Sequence, residues 1–226
     1  MRVLGINAVF HDPAAALVVD GVTVAAAEEE RFTRRKQGKP AVPFAAWEPP
    51  EKSAAWCLKK YGLSPEDLDA VAYSYDPDLA SRAGEDITAD DWEGLRTLYA
   101  RRAPFFLRAA LPGLDPAKVR FVPHHTAHAA SAYLASPFSS CSTLVVDGRG
   151  ESTSHLAGRV VGGELEILAA QKLPHSLGLM YEELTEHLGF RRSSDEYKVM
   201  AMASYGKPTF LPELRESVTR PRTCEA

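Results

Sequence analysis

The sequence predicts an α/β fold built on a repeated unit. Three apolar runs at residues 2–9, 14–19 and 22–27 are joined by tight polar corners. The same arrangement returns at residues 142–146, 152–161 and 165–171. Each set is followed by segments of helical spacing, and strands interleaved with helices mark the α/β class.

Taken in order, the first run carries Val3, Leu4 and Ile6 and ends at the polar corner Phe10-His11-Asp12-Pro13. Asp20-Gly21 separates the second and third runs, a strong hairpin signal. Residues 33–50 (TRRKQGKPAVPFAAWEPP) are rich in charge and proline and read as a loop. Residues 51–61 set Ala54, Ala55, Leu58 and Tyr61 at helical spacing, and Gly62 ends that helix. A short strand follows at 69–74. Residues 76–117 are expected to form an irregular insertion, with helical pieces broken by Pro104 and Pro112. A strand at 118–123 leads into a helix at 126–134, which Ser136-Pro137 ends. Helices are expected again at 177–188 and 195–204, with Ser176 suited to cap the first. The resulting division is a first half over 1–138, the start of a second half over 139–208, and an irregular tail over 209–226. The second half has no counterpart of the strands at 69–74 and 118–123. One sheet edge is therefore expected to stand open, as in a fragment or a chain that needs a partner.

Composition narrows the function. The 226 residues are 45% apolar and 25% charged, with 26 Lys+Arg against 30 Asp+Glu and a formal net charge of -4. That balance gives no electrostatic case for nucleic-acid binding. No uninterrupted apolar stretch is long enough to span a bilayer, so no membrane partner is expected. Cys57, Cys141 and Cys224 cannot all pair and form no CxxC, which points to a reducing, cytoplasmic setting.

The sharpest local feature is His124-His125-Thr126-Ala127-His128, where a strand meets a helix. Residues four apart share a helix face, so His124 and His128 can meet at one point, whereas His125 is expected to point elsewhere. Metal capture and a helix-start cluster of partly exposed histidines are both open readings. Asp147 ends an apolar strand and is followed by Gly148-Arg149-Gly150. It stands where α/β folds place ligands, and the glycines allow close backbone approach to a phosphate or metal; a plain Asp-Gly turn is the alternative. Two imidazoles and one carboxylate with open positions favour Fe(II), and Zn or Mn would also fit. His11 and Asp12 form either an exposed turn or a phosphate-binding, proton-shuttling corner. Arg31, Arg34 and Lys36 follow three glutamates and read as a solvated edge or a grip on an anion. Lys198 is a solvated helix lysine or a phosphate contact. No GxxxxGK[ST], GxSxG, HExxH or GxGxxG occurs.

Six ordered blocks carry a resemblance: LGINAVFHDPAAALVVDG, AAAEEERFTRRK, HHTAHAASAYLASPF, LVVDGRGES, PHSLGLMYEELTEHLGF and EYKVMAMASYGKP. Spread over residues 2–208, they resemble the amino-terminal part of the O-carbamoyltransferases of the nodulation-factor and cephamycin type, which also act on aminoglycosides and other antibiotics. The resemblance implies an actin-like ATPase fold of two ribonuclease-H-like halves, the second incomplete here. It implies kinship to the catalytic subunit that makes threonylcarbamoyladenosine in tRNA. It also implies transfer of a carbamoyl group from carbamoyl phosphate to a small-molecule hydroxyl, with ATP consumed and carbamoyl-adenylate as intermediate. The family's metal pair falls on His124 and His128, its following aspartate on Asp147, its hairpin histidine on His11 and its basic-loop lysine on Lys36. His11 and Lys36 would then act near the carbamoyl group. Asp12, Arg34, Gly148, Gly150 and Lys198 would face substrate or nucleotide. This chain has Ala201 and Ser204 where the family pattern has Gly and Pro, and Gln37-Gly38 where His-Asp often follows the lysine. Family members are longer, and a later metal-binding aspartate and the carboxy-terminal domain are expected to lie on a complementing chain or a longer protein. Two other classes stay in view: a catalytically inactive half that binds a partner chain, and an actin-like-fold kinase.

Overall fold

Alternation builds the first sheet. In the computed structural model, which describes residues 1–36, 48–80 and 92–219, β1 (Arg2–Asn7) turns Leu4 and Ile6 inward. β1 pairs antiparallel with β2 (Ala14–Val19), and β2 with β3 (Val22–Glu28). The β2–β3 corner has both Asp20 (φ 50°) and Gly21 (φ 82°) left-handed, as a two-residue hairpin turn requires. β4 (Ala70–Tyr73) lies parallel to β1, and β5 (Val119–Phe121) parallel to β4. The order is β3-β2-β1-β4-β5: an antiparallel meander extended by two parallel strands, the arrangement of a ribonuclease-H-like unit.

Helices cover the apolar face of this sheet. A short α1 (Glu30–Thr33) follows β3, and α2 (Glu51–Tyr61) packs on β2 and β3 through Ala54, Cys57 and Leu58. The buried Glu29 carboxylate accepts the backbone N–H groups of Lys52 (3.1 Å) and Ser53 (2.8 Å), so it caps α2 from outside the helix. α3 (Trp92–Ala110) is one helix that passes through Pro104, so that proline does not break it. Proline removes one backbone bond, but Ala100, Ala103, Leu107 and Leu111 still form a continuous buried stripe that holds the helix together. The described part of 76–117 is thus mostly one helix, with short 3-10 turns at Pro77–Leu79 and Pro116–Lys118; residues 81–91 lie outside the described residues.

The second meander is as expected in kind. After α4 (His124–Leu134) come β6 (Cys141–Val146), β7 (Thr153–Val161) and β8 (Glu164–Lys172), all antiparallel, in the order β6-β7-β8. α4 covers one face through Ala129 against Val145 and Leu156. The mixed-sheet α/β class and the repeated meander are both present in this topology, and among the described residues the second meander forms a sheet of three strands.

The chain divides into two compact units, Met1–Leu179 and Met180–Ala226. α5 (Leu177–His187) starts in the first. The second holds the rest of α5, α6 (Glu196–Met202) and α7 (Leu211–Thr219). The tail expected to be irregular is therefore helical over Leu211–Thr219. Pro212 does not prevent it, because a proline in the first turn removes an N–H that has no helical partner. Among the described residues no helix is long and apolar enough to cross a membrane.

Candidate metal centre

α4 begins at His124, two residues earlier than its spacing suggests, so both His124 and His128 lie on the helix. Their Nε2 atoms are 3.1 Å apart. β6 ends one residue before Asp147, and its Oδ2 lies 3.0 Å from His124 Nε2 and 3.4 Å from His128 Nε2. Donors at ~2.1 Å from one ion lie ~3.0 Å apart at right angles and ~3.4 Å apart at the tetrahedral angle. The three separations match that spacing.

The hydrogen bonds around His124 test whether an ion fits. Its Nδ1 faces the Ser74 carbonyl at 3.2 Å, an acceptor only, so Nδ1 carries the proton. Its Nε2 then faces an anionic carboxylate and a second imidazole nitrogen. That convergence suits a shared cation, and a protonated imidazole meets the same need. Phe10 packs edge-on against the same ring, with centroids 4.7 Å apart.

Electrostatics agree. Burial pushes the Asp147 carboxyl up, but the imidazoles of His124, His125 and His128 outweigh it and hold the group far below the usual carboxylate range. The bond to Asp147 raises the His128 imidazole above its ordinary value, against a smaller opposing effect of burial.

His125 does not point elsewhere. Its buried ring sets Nδ1 2.9 Å from Thr153 Oγ1 and Nε2 3.6 Å from Asp147 Oδ2. The helical i, i+4 rule treats α4 in isolation, whereas here the loop after β6 wraps the helix start and meets the ring from the other side. Glu151 on that loop is another residue that sequence spacing missed. Its Oε1 accepts the His124 N–H and the Asp76 N–H, both at 2.8 Å. Ser176 caps α5 by accepting the Leu179 N–H (3.1 Å) and donates to the Gly148 carbonyl (2.7 Å). Gly178 leaves the room this needs, since a Cβ there would come 2.6 Å from Gly148 Cα.

The remaining expected site residues are placed as follows. His11 Nδ1 and Asp12 Oδ2 are 2.6 Å apart on an exposed corner, with Asp12 left-handed at φ 49°. The Asn7 amide braces that corner by donating to both carbonyls at 3.0 Å. Gly148 N–H donates to Asp147 Oδ1 (2.6 Å) and Gly150 N–H to the Thr153 carbonyl (2.7 Å), so both are used within the loop. Arg34 ends α1 in the left-handed region at φ 61°, and Lys36 follows; both are exposed. Among the described residues neither joins the imidazole cluster by a hydrogen bond or ion pair. Lys198 pairs with Asp195 at 2.8 Å within the second unit.

Residues 2–221 match the family described as the carbamoyltransferase N-terminus. The uncharacterized protein sll1178 of Synechocystis is 37% identical over 93% of this chain and 35% of its own length. The nodulation protein NolNO of Sinorhizobium fredii is 35% identical over 89% of this chain and 29% of its own. The chain thus spans about a third of the length of these curated relatives. Among solved structures, YeaZ from Pseudomonas aeruginosa is similar at a TM-score of 0.43 and 14% identity, over 76% of this chain and 67% of that one.

Proposed function

We propose, on the premise that this chain belongs to the carbamoyltransferase amino-terminal family, that it carries the metal-and-phosphate side of an O-carbamoyltransferase. The whole protein would move a carbamoyl group from carbamoyl phosphate, with ATP consumed, to the hydroxyl of a small natural product. The observation that supports this most is the convergence of His124 Nε2, His128 Nε2 and Asp147 Oδ2 within 3.0–3.4 Å. These three would hold a divalent cation, with Fe(II) favoured by two imidazoles, one carboxylate and open positions. A cation there supplies Lewis acidity and a counter-charge for phosphate oxygens.

The chain's own residues do the rest. Ser74 holds the His124 ring in the ligating tautomer, and Glu151 holds the first turn of α4. His11 would pass a proton beside the carbamoyl group, and Lys36 would balance charge that develops there. Asp12, Arg34 and Lys198 would contact nucleotide or substrate. Gly148 and Gly150 would shape the loop, since their N–H groups are already engaged. The boundary near residue 138 would separate the half that supplies α4 from the half that supplies Asp147.

Elemental analysis of the chain loaded anaerobically with Fe(II) tests the reading. The wild type should retain stoichiometric metal, and His128→Ala and Asp147→Ala should lose it while the first sheet stays folded. Equal metal content in all three would overturn it. The purified chain with carbamoyl phosphate, ATP and an acceptor should show no turnover alone.

A further inference from the structure

We infer that His125 is a positioning residue of this centre: it holds the carboxylate of Asp147 and leaves the ion to His124 and His128. The inference rests on the metal-centre reading and adds a residue to it. The His124 and His128 rings lie 4.6 Å apart by centroid, while the His125 ring is 5.5 Å from the first and 6.4 Å from the second. The His125 ring is thus the farther from the pair, although one of its nitrogens lies within 4.8 Å of donor atoms of His124 and Asp147. Its side chain is 4% exposed, against 50% for His128, and its Nε2 is buried with no hydrogen-bond partner, 3.6 Å from Asp147 Oδ2.

A neutral imidazole has one N–H and one lone pair. Toward an anionic oxygen the N–H is attractive and the lone pair repulsive, so Nε2 carries the proton. Nδ1 then accepts from the Thr153 hydroxyl at 2.9 Å, which fixes that tautomer. This is the reverse of His124, whose Nδ1 must donate to a carbonyl. At 3.6 Å the contact from Nε2 is electrostatic rather than a hydrogen bond. Gly150 gives the ring its seat: a Cβ there would lie 3.1 Å from His125 Cε1 and 3.2 Å from Nε2. The loop after β6 thus supplies the carboxylate and the space beside the ring, and the first residue of β7 the hydroxyl that sets its tautomer.

Co(II), titrated into the full chain and followed by visible absorption, tests this without any activity assay. His125→Ala should weaken Co(II) binding by about 10–100-fold, the usual cost of losing a partner of a metal ligand, with band positions unchanged. His125→Gln should recover most of that loss, because its amide donates from nearly the place of Nε2. Gly150→Ala should weaken binding comparably, and the double variant with His125→Ala should be no weaker than His125→Ala alone. In the metal-free wild type, long-range nitrogen–proton NMR should show His125 protonated at Nε2. Wild-type affinity in His125→Ala, a band shift that reports a lost nitrogen ligand, or protonation at Nδ1 would each overturn the inference while the metal centre stands. A wild type that binds no Co(II) overturns the metal-centre reading, and this inference with it.

Discussion

A single oxygen of Glu151 accepts two backbone N–H groups, from His124 and Asp76, and the residue is 8% exposed. Glu151→Ala would strip both donors of their partner in a place water hardly reaches. The expected loss is about 2–6 kcal/mol, at about 1–3 for each of the two unsatisfied groups. Glu151→Gln keeps an acceptor and should cost less than half as much. Urea unfolding of the two variants checks this, and equal midpoints for Ala and wild type would refute it. The same residue shows what spacing can and cannot reveal. His124 and His128 are legible because one helix brings them together, and Asp147 because it ends a strand. Glu151, Thr153 and the inward turn of His125 are contacts across 27 or 28 positions between two elements. No periodicity within either element encodes them.

The elements are most legible where turn chemistry punctuates the chain. Asp20-Gly21 and Gly162-Gly163 both adopt left-handed backbone at hairpin corners, and Gly62 does so at the end of α2. α3 is least legible, because its proline is a local signal and its buried alanine–leucine stripe a tertiary one. That helix also anchors the loop after β6: Glu93 pairs with Arg96 on its own helix and with Arg149 Nη1 at 2.5 Å. Burial pushes the Glu93 carboxyl up, but the two guanidinium groups outweigh it and hold the group below its ordinary 4.5. A carboxyl lowered by folding adds stability above its unfolded value, and that gain is lost as pH falls through the folded value. The stability difference between wild type and Glu93→Gln should therefore be constant above about pH 5.5 and shrink below 4.5. Denaturant titrations across that range measure it. A difference that grows in acid would contradict the assigned pairing.

Over the whole molecule, the two meanders are alike in plan and unequal in cover. Leu4 and Ile6 sit three and one residues before Asn7, at the end of β1, and are 0% and 2% exposed. Leu144 and Val146 hold the same places before Asp147 at the end of β6 and are 72% and 56% exposed. The sheet around β1 is extended by β4 and β5, whereas β6 is an edge strand among the described residues. An apolar edge strand with a bare face is a template for association. The purified chain is therefore expected to bind a hydrophobic dye and to migrate above its monomer mass in gel filtration as concentration rises. The double variant Leu144→Ser, Val146→Thr should reduce both effects and leave the unfolding midpoint nearly unchanged, because neither side chain has much burial to lose. Leu4→Ala should do the opposite, costing about 2–5 kcal/mol with no gain in solubility. A sharp monomer that binds no dye would mean that this face is covered in solution, and the unequal halves would then need another explanation.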